Sequence, residues 1–155
     1  MTSTPAAGSL AHGLSPVALE SEGLNSALGE LAQDTEKLFG IRCRCVCPDP
    51  VAIYDHSVAT HLYRIAQESV NNAVKHGKSK RVEISLAGTA EIITLKVNDD
   101  GAGFSDGPIS VKGMGLRIMH YRASVIGAKL SVQSRLSGGV AVICELPQSC
   151  NQPAE

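Results

Sequence analysis

Three groups of residues have the types and spacing to do chemistry. Glu68, Asn72 and Lys75 stand at i, i+4 and i+7, so on a helix of about 100° per residue they share one stripe. A carboxylate and a carboxamide oxygen are hard donors that suit Mg²⁺, and the Lys75 ammonium can meet phosphate. Asp99-Asp100-Gly101-Ala102-Gly103 sets a carboxylate ahead of two alternate glycines. Such glycines let the backbone come close to a flat ligand, and Asp99 can accept from an exocyclic amine such as that of adenine. Gly113-Met114-Gly115-Leu116 reads as the opening of a helix, where free backbone N–H groups face an anion. Each group alone also fits a plainer description: a solvated helix face with an ion pair, an ordinary Asp/Gly turn, a helix start.

Other motifs fall away on spacing. A dinucleotide fingerprint needs a glycine where Ile118 stands and a strand directly before it. Gly77-Lys78-Ser79 is not a P-loop, because Asn72 occupies the first glycine position and the expected order of strand and helix is reversed. Cys43, Cys45 and Cys47 alternate, so a strand would put the three thiols on one face. They have no fourth ligand at zinc spacing, and read as small apolar side chains with Arg42 and Arg44 opposite.

The elements that must hold these residues follow from periodicity. Residues 20–39 place Leu24, Leu28, Leu31 and Leu38 at near-helical spacing, with Gly40 as the stop. A strand is expected over 41–47, ended by Pro48 and Pro50. Asp55 or Ser57 can cap a second helix that runs to about His76 and stops at Gly77. Val82, Ile84 and Leu86, then Ile93, Leu95 and Val97, form two alternating runs around Gly88-Thr89, a hairpin. Residues 98–115 read as a loop, and Leu116 to Ile126 as a helix stopped by Gly127. Leu130–Ser134 and Val140–Leu146 make a last strand pair around Ser137-Gly138-Gly139. Strand pairs segregated from helices in this way predict an α+β two-layer sandwich.

The chain has 155 residues, 43% of them hydrophobic, and a formal net charge of −1. That suits one packed domain and gives no global pull to nucleic acid or an anionic membrane. With 3% aromatics and no Trp, a base-stacking surface for single strands is not expected. No apolar run of about 18 residues is present, so no spanning helix or membrane contact is expected. MTSTPAAGS lacks the basic start and apolar stretch of a signal peptide. Five cysteines, an odd number with three crowded together, point to a reducing, cytoplasmic setting.

The three groups occur in the order and at the separations that one nucleotide lying between them requires. In this they resemble the ATPase domain shared by sensor histidine kinases, DNA gyrase, the Hsp90 chaperones and MutL, the Bergerat fold. HLYRIAQESVNNAVKHG looks like the N box of nitrate/nitrite-sensor-type histidine kinases, and VNDDGAGF and GMGLRIMHYRA look like their two glycine boxes. LAHGLSPVALESEGLNSAL is similar to the segment that precedes the ATPase domain in these kinases. The resemblance covers roughly residues 10–147, and divides the chain into a flexible leader and linker-like segment over 1–19, the ATP-binding domain over 20–147 and a frayed tail over 148–155.

The resemblance implies ATP and Mg²⁺ as ligands and assigns roles by position. Asp99 would bind the adenine amine, and Gly101 and Gly103 would shape its pocket. Asn72 would ligate Mg²⁺, with Glu68 beside it as metal neighbour and as the catalytic group that polarises the incoming nucleophile. Lys75 and His76 would approach the phosphates. Gly113 and Gly115, with Leu116, would hinge a short lid over about Ser105 to Lys112. Two departures stand out: Val140 follows Gly139 where such kinases usually carry Thr, and no histidine stands in a phosphoacceptor box. His12, His56, His61 and His120 all have plainer readings. The expected partners are therefore a separate dimerisation and phosphoacceptor domain and, downstream, a response regulator. The chain alone is not expected to autophosphorylate. Two other readings of the same fold are an anti-sigma-type serine protein kinase and a non-enzymatic ATP-sensing domain.

Overall fold

The computed structural model describes residues 23–102 and 109–152, with backbone alone over 109–114. Helix α1 spans Gly23–Phe39, strand β1 Arg42–Val46, helix α2 His56–Lys75, strands β2 and β3 Arg81–Gly88 and Ile92–Asp99, helix α3 Ile109–Val125, and strands β4 and β5 Lys129–Ser134 and Val140–Pro147. The strands form one sheet in the order β1-β2-β3-β5-β4. β1 runs parallel to β2, and every other neighbouring pair is antiparallel. The two expected hairpins are therefore present, and the β3–β5 pairing joins them.

Alternation decides which face of the sheet is dry. Val82, Ile84 and Leu86 of β2, Ile93, Leu95 and Val97 of β3, and Val142, Cys144 and Leu146 of β5 are buried. They pack in one cluster with Leu24 and Leu28 of α1, Leu62, Ile65, Ala66 and Val70 of α2, and Met119 and Ala123 of α3. Arg81 and Glu83, whose side chains alternate with the buried set, are exposed. Three helices thus cover one face, which gives the expected two-layer α+β sandwich, and the other face stays open among the described residues. Burying this apolar cluster, at about 25 cal/mol per Å², is the main force that holds α2 against the sheet.

Local chemistry sets the boundaries. Asp55 caps α2, its Oδ1 accepting from the N–H groups of Ser57 at 2.8 Å and Val58 at 3.4 Å. The helix ends on His76, and the left-handed residue in the following turn is Lys78 (φ 53°) rather than Gly77. Gly77 is needed for a different reason: a Cβ there would stand 2.9 Å from the Ala73 carbonyl oxygen. Leu38, read as part of the apolar stripe of α1, is 76% exposed, and Thr35 is the last buried residue of that helix. Cys43 is buried and Cys45 and Cys47 half-buried on one face, with Arg42 and Arg44 exposed opposite; all are free thiols. Cys45 and Cys47 lie 3.6 Å apart at sulfur. Burial, with the neighbouring Cys47, pushes the Cys45 thiol up to about 12.

Two expectations need correction. The helix expected from Leu116 begins at Ile109, so the stretch read as loop over 98–115 is helical in its second part. The tail read as frayed is packed as far as it is described. Gln148–Cys150 form a 3₁₀ turn, and Asn151, 3% exposed, accepts from the Tyr54 N–H at 2.8 Å and donates to the Ala52 carbonyl at 2.9 Å. A buried side-chain amide with both ends bonded holds a short tail that has little apolar surface of its own. The segment 1–19 and Gly103 lie outside the described residues.

Candidate functional site

Asp99 ends β3 on its core-facing side and is 6% exposed. Its Oδ1 accepts from Ser79 Oγ at 3.0 Å, from the Gly101 N–H at 2.8 Å and from the Val140 N–H at 3.3 Å. Its backbone carbonyl accepts from Arg135 Nη1 at 2.7 Å. Three donors on one oxygen orient the carboxylate and direct Oδ2 away from them. A buried carboxylate is tolerated only when bonded in this way.

The glycines around it are there for close approach. A Cβ on Gly101 would run into the Gly77 carbonyl, and one on Gly139 into the Asp99 carbonyl. Gly139 also has φ +88°, in the left-handed region that L side chains rarely adopt. The Gly77–Ser79 turn, the Asp99–Gly101 turn and the Gly138-Gly139 turn therefore interlock, with the Ala102 N–H donating to the Gly77 carbonyl at 2.9 Å.

Asp99 lines a pocket with Asn72, Ser69 and Ala73 of α2, Leu116 and Met119 of α3, and Val132, Val140 and Val142 of the last hairpin. The sheet supplies an apolar floor and wall, and the polar groups are few and convergent, as in a small-molecule site. The missing hydroxyl at Val140 is replaced by apolar wall, while its backbone N–H still reaches Asp99. Glu68 and Asn72 stand together at the pocket's edge: a Cβ on Gly115 would lie 2.6 Å from Glu68 Oε2 and 3.5 Å from Asn72 Nδ2. Lys75 and His76, one turn further along α2, are exposed and do not line the pocket.

The expectation for Gly113 and Gly115 is revised by the start of α3 at Ile109. Only the first four N–H groups of an α-helix lack an internal partner. The two glycines sit in its second turn, where their N–H groups belong to the helix and are not presented to an anion. With α3 lying against Glu68 and Asn72, the pocket holds about 30 Å³, room for a water or two and too little for a purine. Of the lid expected over Ser105 to Lys112, the part up to 108 lies outside the described residues and the part from Ile109 is helix.

Ser79 and Arg135 were not among the expected site residues. They reach Asp99 from 20 and 36 positions away in the chain, a pairing no local pattern carries. Gly77-Lys78-Ser79, set aside as a P-loop, thus contributes to the site in another way. Elsewhere on α2, burial and the Arg122 guanidinium, 3.2 Å away, lower the pKa of His61.

An Asn-bearing helix, an Asp-Gly turn at a strand end and a glycine-bearing helix converging on one pocket define a class of ATPase. Residues 57–149 match the family described as histidine kinase-, DNA gyrase B-, and HSP90-like ATPase. The chain belongs to that family, and the curated relatives it resembles are sensor histidine kinases. It is 31% identical over 136 residues to the oxygen sensor histidine kinase NreB of Staphylococcus carnosus, covering 86% of this chain and 39% of that protein. It is 33% identical over 134 residues to the sensor histidine kinase LiaS of Bacillus subtilis, covering 86% and 37%. The chain therefore spans less than half the length of these curated relatives. Among solved structures, the histidine kinase domain of the Erythrobacter litoralis blue-light activated histidine kinase superposes with a TM-score of 0.64 at 25% identity, over 81% of this chain and 61% of that one. The ATP binding domain of PrrB from Mycobacterium tuberculosis gives a TM-score of 0.65 at 22% identity, over 80% and 93%, and shares the fold.

Proposed function

We propose that this domain binds Mg-ATP and donates the γ-phosphate to a histidine on a dimerisation domain outside the described chain, in two-component signalling with a response regulator downstream. The observation that carries the reading is the buried, triply bonded Asp99 at the pocket floor. Its Oδ2 would accept from the adenine amine, and the apolar side chains of the pocket would flank the ring. Asn72 and Glu68 would hold Mg²⁺: two side-chain oxygens at the pocket edge fit a metal that takes few protein ligands and shares its shell with phosphates and water. Bound there, the ion would neutralise charge developing on the transferred phosphoryl group. Glu68 would also polarise the incoming imidazole. Nucleotide entry requires the first turns of α3 to lift from Glu68 and Asn72, and Gly113 and Gly115 make that stretch of helix costly to keep, by about 1 kcal/mol each relative to alanine. Lys75 and His76, exposed one turn further along α2, would then approach the phosphates.

The test incubates the chain with γ-labelled ATP, alone and with a dimerisation domain of a sensor histidine kinase supplied in trans or fused. Acid-labile label on the dimerisation domain only, lost in Asp99→Asn, is the expected result. Stoichiometric acid-labile label on the chain alone would overturn the need for an external histidine. Acid-stable label on a serine of a partner protein would favour the anti-sigma-type alternative, and nucleotide binding without any transfer a sensing role.

A further inference from the structure

The open face of the sheet carries a second cavity, of about 430 Å³, whose lining shares no residue with that of the nucleotide pocket, although Arg135 at its end also donates to the Asp99 carbonyl. Arg42 and Arg44 of β1, Arg81 of β2 and Arg135 after β4 line it. Arg42 and Arg81 are register partners in the parallel β1–β2 pair. Neighbouring strands lie about 4.8 Å apart, so two guanidiniums stand side by side on one face, a like-charge pairing that disfavours the sheet. Both are exposed, and neither side chain has a hydrogen bond or ion pair among the described residues. The carboxylates present offset the group only in part: against the raising effect of burial, backbone N–H donors and the Arg81 guanidinium hold the Asp100 carboxyl below its usual value. Asp100 accepts, through Oδ1, the backbone N–H groups of Lys80 and Arg81, each at 2.9 Å, and Glu83 faces Arg44 across the strand pair without a salt bridge between them. Four arginines against two carboxylates leave the cavity with an excess of positive charge.

A further residue there is unmet. Asn98, next to Glu83 in the β2–β3 register, lines the cavity and has a buried Oδ1 with no hydrogen-bond partner among the described residues. Nothing in the protein fixes which end of that amide faces inward, so it can offer either an N–H or an oxygen to a ligand. The lining has one apolar residue, Val82, and no aromatic ring. It therefore lacks anchors for a base or for an apolar peptide side chain, and has the planar forked donors that suit phosphate oxygens.

We propose that this cavity is an anion site for a compact, multiply charged phosphate compound, distinct from the nucleotide pocket. Bound there, the anion accepts from the Arg42 and Arg81 forks and relieves their repulsion, with Arg44 and Arg135 closing the ends. The strand end is shared: Asp99 turns inward to the nucleotide pocket, and its neighbours Asn98 and Asp100 line this one.

The experiment titrates inorganic tripolyphosphate into the chain, without Mg²⁺ and with saturating ADP to block the nucleotide pocket. The wild type and Asp99→Asn are expected to take up about one equivalent. The double variant Arg42→Ser/Arg81→Ser, at exposed positions, should keep its ATP affinity and lose roughly tenfold or more in tripolyphosphate affinity. Its ligand-free melting temperature should be no lower than that of wild type, since a like-charge pair is removed. An absence of binding under ADP, or an unchanged affinity in the double variant, overturns the proposal. Tighter binding of citrate than of tripolyphosphate overturns the phosphate class, and tighter binding of a poly-glutamate peptide assigns the face to a protein partner instead.

Discussion

Replacing Asp99 by Asn changes one atom and should reverse which purine the pocket prefers. The Ser79 hydroxyl and the Gly101 and Val140 N–H groups all donate to Oδ1. Two of these donors are backbone and cannot turn round. An asparagine must therefore keep its carbonyl oxygen on them, because the flipped amide would set its NH₂ against two N–H groups at a loss of about 1–3 kcal/mol each. Its Nδ2 then occupies the Oδ2 position and presents N–H to the ligand. Against the adenine amine that is donor facing donor. The lost charge-assisted bond, about 1.5–3 kcal/mol, weakens ATP by roughly ten- to a hundredfold. Against the 6-oxo group of hypoxanthine the same N–H is a partner, so inosine triphosphate should bind the variant better than ATP and the wild type worse. Competition titrations of both nucleotides against wild type and Asp99→Asn measure the inversion, and thermal melts confirm that the fold survives. Equal ATP affinity in the two proteins, or a parallel loss of both nucleotides, would refute adenine recognition by Oδ2.

Asn72→Ala should weaken Mg-ATP much more than metal-free nucleotide, and titrations in Mg²⁺ and in chelator separate the two; equal losses would make Asn72 a direct nucleotide contact. Gly139→Ala should lower the melting temperature by roughly 10 °C, from a cost of about 3 kcal/mol, because its Cβ overlaps the Asp99 carbonyl at φ +88°; an unchanged melt would show that the turn can re-form around a side chain. Saturating nucleotide should reduce the hydrogen-exchange protection of amides 109–115, since the helix over them must lift from Glu68 and Asn72. Protection that stays the same or rises would mean that ATP enters without displacing α3.

The strands were legible because one face of each is dry: Val82, Ile84 and Leu86 cannot slip by one residue without exposing the whole set. The capping of α2 was legible to within the choice between Asp55 and Ser57. The start of α3 was not. Gly113 and Gly115 have low helix propensity, and that local signal outweighed Pro108 in the sequence, a residue that often precedes a helix. The close approach of Gly115 to Glu68 and Asn72 is a tertiary contact of the kind that overrides propensity. The site was legible where it is local, as in Asp99 with Gly101 or Glu68 with Asn72. It was illegible where strand order decides, because β5 inserts between β3 and β4 and so delivers Val140 and Arg135 to Asp99. Leu38 and Asn151 failed for a similar reason: periodicity says which face a residue occupies, not whether anything lies opposite it.

The Asn151 latch gives the domain a late closing step during synthesis. Ala52 and Tyr54, directly ahead of the Asp55 cap, wait 97 or more residues for their partner, until nearly the whole domain has left the ribosome. A chain cut after Pro147, where the strand pattern ends, would keep every strand and helix of the sandwich. It would leave the Tyr54 N–H and the Ala52 carbonyl without their amide, and with them the lead-in to the helix that carries Glu68 and Asn72. For anyone joining this domain to another, the seam belongs beyond Asn151.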